Sequence, residues 1–176
     1  MDLIIARLDP ETFLELYFRS IHSVYKAFCW VWFIGPIYRP EDWNDAGVIQ
    51  YNNNCYNYAC NKRTDTFAQP GRASGNMYQS LQCNEVKEGA ISDGLKAAET
   101  CGPCCHKVAL FVWPGVDYHW YRQDHGGMWS HKPGQTRATN LDNDNNPIDD
   151  PRDANRGGYT DFCGFFCVCR DKVTIQ

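Results

Sequence analysis

Residues 106–127 read HKVALFVWPGVDYHWYRQDHGG, and this stretch decides the fold. A β-branched and aromatic run from His106 stops at Pro114-Gly115, a second run follows from Asp117, and a glycine pair stops that one too. Two such runs around a Pro-Gly turn predict a hairpin. MWSHKPG, residues 128–134, supplies a third strand, so the expectation is an antiparallel meander closed near the C-terminus by GYTDFCGFFCVCR, residues 158–170. Between them, TNLDNDNNPIDDPRDANRGG, residues 139–158, carries no core pattern and is expected as a solvated loop. It has the acidic texture of a calcium loop but lacks the glycine and terminal glutamate at the required spacing.

The first half has helical texture. DPETFLELYFRSIHSVYKAF, residues 9–28, reads as a helix with Asp9 as N-cap and Pro10 in the first turn. Its buried face would carry Phe13, Leu16, Tyr17 and Val24, with His22 solvated. An aromatic run breaks at Gly35-Pro36, a second helix opens near Asn54, and QPGRASG, residues 69–75, has turn chemistry. A third helix is expected over SDGLKAAETCG, residues 92–102, or over a longer span from Met77, with Gly102 as its stop. Helices first and an antiparallel sheet second give an α+β class. The expected organisation is a single domain over 1–176: N-terminal helix and aromatic loop over 1–49, a helical region over 50–105, and the sheet over 106–176.

The 176 residues carry 43% hydrophobic and 22% charged side chains, the texture of a soluble globular protein. A net charge of -4 and no basic cluster argue against nucleic acid as a partner. The most apolar stretch, AFCWVWFIGPI from Ala27, is too short to span a bilayer and contains a proline, so no membrane span is expected. MDLIIARLDPETF does not have the pattern of a secretory signal. The ten cysteines are therefore expected to be reduced at synthesis, with location unassigned and delivery by a signal-independent route left open.

Within this frame QYNNNCYNYACNKR, residues 50–63, places Cys55 at a helix entrance, where the helix dipole favours a thiolate. A cysteine nucleophile needs a base, and the base needs an orienting group. His106 at the start of one strand and His119 on the next supply candidates in that order. His131, in WSHKPG, is a rival third member or a groove residue, while His125 in its glycine turn is expected to be solvated. CGPCCH, residues 101–106, and CGFFCVC, residues 163–169, leave open a zinc site from Cys101, Cys104, Cys163 and Cys167, or a disulfide from the loop before the sheet to the last strand. Neither metal nor cofactor is assigned.

The order Cys55, His106, His119, with NNCYNYA and CHKVALFV around the first two, resembles the NlpC-type papain-like cysteine peptidases over about residues 50–125. Cys105 stands where that family places a glycine, and Lys107 adds a residue before the apolar run. The resemblance implies a papain-like α+β fold, with N-terminal helices packed on a C-terminal sheet, and hydrolysis of amide bonds in bacterial peptidoglycan stem peptides. Cys55 would attack, His106 would act as base and acid, and His119 would orient it. The Cys55 N–H, helped by Asn53 or Tyr51, would hold the oxyanion. Tyr56, Trp113, Trp120 and His131 would line the substrate groove. Such a chain would serve as a lysis enzyme or antibacterial toxin, with an immunity protein as a possible partner. The alternatives are the same triad in a deamidase, protease or acyltransferase, or a non-enzymatic cysteine-rich binding module.

Overall fold

Gly115 takes φ 72° in the hairpin turn, and Trp113 stands opposite Asp117, so the connection is three residues long. A loop of that length with a left-handed glycine is a common way to join two twisted strands. This hairpin lies at the centre of the computed structural model, which describes residues 35–176; the helix expected over 9–28, with His22, lies outside them. The described elements are a 3₁₀ turn at Pro40–Asp42 and three helices, α1 (Val48–Asn52), α2 (Cys55–Ala59) and α3 (Cys83–Ser92). The strands are β1 (Lys96–Ala97), β2 (Cys105–Trp113), β3 (Asp117–Gln123), β4 (Trp129–His131) and β5 (Asp161–Cys169).

All neighbouring strands are antiparallel, in the order β1-β5-β2-β3-β4. The meander β2-β3-β4 is as expected, but β5 does not close it beyond β4. It returns to the far side of β2, pairing from Cys105 with Cys169 to Val112 with Asp161. The reason is burial. Val108, Ala109, Leu110, Phe111 and Val112 are all inaccessible, so β2 is buried on both faces and takes a long strand on each edge.

One face of the sheet carries Val108, Leu110, Val112, Trp120 and Phe166, packed against Tyr56, Ala59, Val86, Ala90 and Leu95 from the helical side. The other face carries Ala109, Phe111, Tyr121 and Phe165, with Trp129, Ile148, Ala154 and Tyr159 over it. The acidic segment is thus not simply a solvated loop, because its few apolar side chains close the second core. Arg156 knits it by donating to the carbonyls of Arg152 at 2.7 Å, Ala154 at 2.9 Å and Pro151, while its guanidinium lies 4.5 Å from the Phe111 ring centre.

The papain-like arrangement is corrected by this architecture. A five-stranded antiparallel sheet dominates, and the described helices are short, of 5, 5 and 10 residues. Helix α3 falls in the span from Met77 but ends at Ser92, so SDGLKAAETCG is not a helix; Lys96–Ala97 within it is strand β1. Gly94 is the stop. It sits at φ 105°, where a Cβ would lie 2.1 Å from the Lys172 carbonyl oxygen.

Three disulfides tie these layers together among the described residues: Cys83–Cys163 joins α3 to β5, Cys101–Cys167 joins the segment after β1 to β5, and Cys105–Cys169 joins β2 to β5. Of the two uses left open for these cysteines, the disulfide from the loop before the sheet to the last strand is present as Cys101–Cys167. Cys101, Cys163 and Cys167 are consumed in these bonds and Cys104 is disulfide-bonded as well, so the four are not available as thiolate ligands for zinc.

Candidate functional site

The Asn-rich lead into Cys55 builds a cap. Asn54 Oδ1 accepts from the N–H groups of Tyr56 at 3.0 Å and Asn57 at 3.1 Å, and Asn57 Oδ1 accepts in return from the Asn54 N–H at 3.1 Å. This is a capping box with asparagine in both roles. Asn54 Nδ2 also donates to the Ala68 carbonyl at 2.7 Å. Asn53 is spent too, its amide bridging Ile49 O and Asp65 while its oxygen accepts from the Thr64 and Asp65 N–H groups. Neither asparagine is free to hold an oxyanion through its side chain, and Tyr51 stands exposed on α1.

Cys55 does open helix α2, as expected, but it is buried, and desolvation pushes its thiol up to about 12. Lys132 and backbone hydrogen bonds at Trp120 and Tyr56 act the other way and do not offset it. A five-residue helix has too few aligned peptides to overcome such burial. Cys60, at the other end of α2, is also free, buried and raised by desolvation.

The two expected partner histidines do not meet. Directly opposed residues in an antiparallel pair share a face, and successive residues along a strand change face. His119 pairs with Phe111, five residues along β2 from His106, so the two rings project from opposite faces of the sheet. His106 donates Nε2–H to the Ala59 carbonyl at 2.7 Å, at the C-terminal end of α2 rather than at the Cys55 end. Desolvation lowers its pKa to about 4. His119 lies on the second face with its Nε2 2.7 Å from Nδ1 of His131, so the two rivals for the third position are bonded to each other.

The aromatic groove residues separate in the same way. Tyr56 is fully buried and donates its hydroxyl to Asp93 Oδ2 at 3.0 Å. Trp120 is fully buried between Tyr56 and Phe166, with ring centres at 5.5 and 5.3 Å, and its Nε1 has no hydrogen-bond partner. His131 is buried, leaving Trp113 as the exposed member of the set at 42% accessibility.

Sequence reasoning passed over the strongest polar centres. Lys132 is wholly buried and donates Nζ to the carbonyls of Gln50 at 2.6 Å, Asn53 at 2.6 Å and Gly134 at 2.7 Å. It clamps the junction between α1 and α2 to the end of β4. Desolvation lowers its pKa to about 8. Arg122 is equally buried, paired at 2.8 Å with Asp124 and donating to the Tyr58 hydroxyl at 2.9 Å, while Ser130 closes the ring by donating to Asp124. The available signal was position: Arg122 continues the buried run of β3, and Lys132 directly follows the buried strand β4. Among the described residues no group of three or more His, Cys, Asp or Glu is placed to hold a metal ion, and no helix is long and apolar enough to cross a membrane.

No family model matches the chain, and no solved structure matches it. A curated protein of Ruditapes philippinarum, insoluble matrix shell protein 1, is 52% identical over 133 residues, spanning 74% of this chain and 88% of that protein. This similarity overturns the NlpC-type resemblance, and with it the cysteine peptidase activity, the peptidoglycan substrate, the lysis and toxin roles and the immunity partner. The matched sequence motifs were a helix cap, a buried thiol and strand-entry burial, all of which arise without catalysis. At this identity and coverage the chain belongs to the family of insoluble matrix shell protein 1.

Proposed function

We propose that the chain is a non-enzymatic, disulfide-stapled structural protein of an extracellular matrix, working in the insoluble matrix of a shell. The observation that carries this reading is the 52% identity to a protein of that description. Two features support it. Three disulfides bind the described sheet to its flanking segments, a strategy of proteins outside the reducing cytosol. The reactive side chains are committed to internal bonds: Cys55 is buried and protonated, His106 holds Ala59, and His119 holds His131.

Antibodies raised against the chain test the location. Recovery from the insoluble organic fraction of shell, with its disulfides intact, is the expected result; confinement to the cytosol overturns the reading. Iodoacetamide labelling of the native protein tests the absence of catalysis. Cys55 and Cys60 are expected to label only on unfolding, and rapid selective labelling of Cys55 in the folded protein contradicts a purely structural role.

A further inference from the structure

We propose that His119 and His131 form an acid-sensitive latch that holds β4 and the 139–159 segment against the sheet. The hydrogen bonds fix the proton positions. His131 Nε2 lies 3.0 Å from the Leu141 carbonyl oxygen, which only accepts, so Nε2 carries hydrogen. In the neutral ring Nδ1 is then a lone pair, and His119 Nε2–H donates to it across 2.7 Å. One added proton sits either on His119 Nδ1, with that bond kept, or on His131 Nδ1, with the bond reversed, and in both cases a full charge is buried in the core. A second added proton sets two N–H groups against each other at 2.7 Å and breaks the contact. The opened rings each accept a proton near the ordinary histidine value of about 6.5.

The groups facing the pair do not remove this penalty. From β3, Tyr121 stacks on His131 with ring centres at 4.8 Å and meets His119 edge-on at 4.9 Å. From the covering segment, Tyr159 lies against His119 at 5.3 Å, its hydroxyl donating to Asp117 at the foot of β3. Asp142, next to Leu141, favours a proton on His131, whereas Arg156 lies over Phe111, the cross-strand partner of His119. Lys132, the neighbour of His131, is directed to Gln50 and Asn53. For both histidines burial is the largest influence and lowers the pKa. The folded pair therefore binds fewer protons than the opened pair, and its stabilisation is complete above about pH 6.5 and is lost below it.

The latch is one of several ties on this layer, beside Lys132 at the end of β4, Ser130 on Asp124 and Arg156 in the covering segment. Strand β4 meets β3 at three positions, and its other edge is bridged to Thr139 and Ile148. Opening bares Phe111, Tyr121, Trp129 and Phe165, the aromatic side of the second core.

Hydrogen exchange of the full chain between pH 8 and 5, corrected for intrinsic rates, tests the latch. The amides of Trp129, His131, Thr139 and Ile148 are expected to lose protection relative to β2 by at least about tenfold per pH unit below about 6.5, and the variant carrying His119→Phe and His131→Leu is expected to lose that dependence. Should that variant fail to fold, imidazole titration of the wild type by NMR decides. Rings that stay neutral until these amides open support the latch. Two rings that titrate near pH 6.5 with protection unchanged, or a double variant with undiminished acid dependence, overturn it.

Discussion

Cys105 and Cys169 stand directly opposite each other on β2 and β5, their Cα atoms 4.0 Å apart and their sulfurs bonded. Two residues before Cys169, Cys167 is bonded to Cys101 and so ties β5 to the approach to β2. The two bonds bracket nearly the same closure.

Their entropic contributions are therefore unequal to that of Cys83–Cys163. Once Cys101–Cys167 is formed, Cys105–Cys169 closes only a few further residues, whereas Cys83–Cys163 still constrains the longer path through α3 and β1. Replacing Cys105 and Cys169 together by serine is expected to cost about 2 kcal/mol, and replacing Cys83 and Cys163 about 3 kcal/mol. Urea denaturation of the two variants measures the difference. Equal losses would place the effect in local packing instead of chain entropy.

Lys132 gives a prediction with a sign. Lys132→Met fills much of the same space but leaves the buried carbonyls of Gln50 and Asn53, and the part-buried one of Gly134, without this donor, so a loss of about 3 kcal/mol is expected. The pH limb is separate. The folded pKa, about 8, lies below the ordinary lysine value of 10.5, so the folded state releases its proton first. Wild-type stability should accordingly rise with pH from about 8 toward 10, and the methionine variant should lack that rise. Chemical denaturation at several pH values reads both effects.

The hairpin around Pro114-Gly115 and the start of α2 at Cys55 were legible in the sequence because turn glycines and caps are local. The place of β5 was not. Its pairing with β2 across the whole covering segment depends on burial of Val108 through Val112 on both faces, and a continuous apolar run does not say which strand fills the second edge. The placement of the expected Cys55, His106 and His119 differs for a related reason. His106 and His119 lie on neighbouring strands, but His119 pairs with Phe111, five positions from His106, and that odd offset puts the rings on opposite faces. The asparagines before Cys55 were visible, yet their bonds to Ala68, Thr64 and Asp65 are tertiary.

His106 offers a further pH test. Its folded pKa of about 4 lies below the ordinary 6.5, so its neutral form stabilises the fold above pH 6.5 and that stabilisation is lost as the pH falls toward 4. The slope from this group alone approaches about 1.4 kcal/mol per pH unit. His106→Gln, which keeps an N–H donor for Ala59 but does not titrate, is expected to flatten the acid limb by about one proton. An unchanged slope in urea midpoints between pH 6 and 4.5 would mean that His106 titrates normally in the folded chain.

Gly158 and Trp113 give the last test, one of packing at the edge of the second core. A Cβ placed on Gly158 would lie 2.3 Å from Cδ2 and 2.4 Å from Cε2 of Trp113, so the glycine backbone rests on the indole face. Tyr159 meets the same indole at 5.9 Å between ring centres and carries its hydroxyl to Asp117 at 2.8 Å. Gly158→Ala cannot be relieved by a small shift, because the obstructing atoms belong to a rigid bicyclic ring. The tryptophan must swing outward or the end of the covering segment must lift. Either response is expected to cost about 1–3 kcal/mol, the usual range for overpacking. Replacing Trp113 by leucine in the alanine background should recover part of that loss, since the flat ring is the obstacle. Thermal or urea denaturation of the single and double variants checks this coupling; purely additive losses would show that Gly158 is needed for its backbone and not for its contact with the ring.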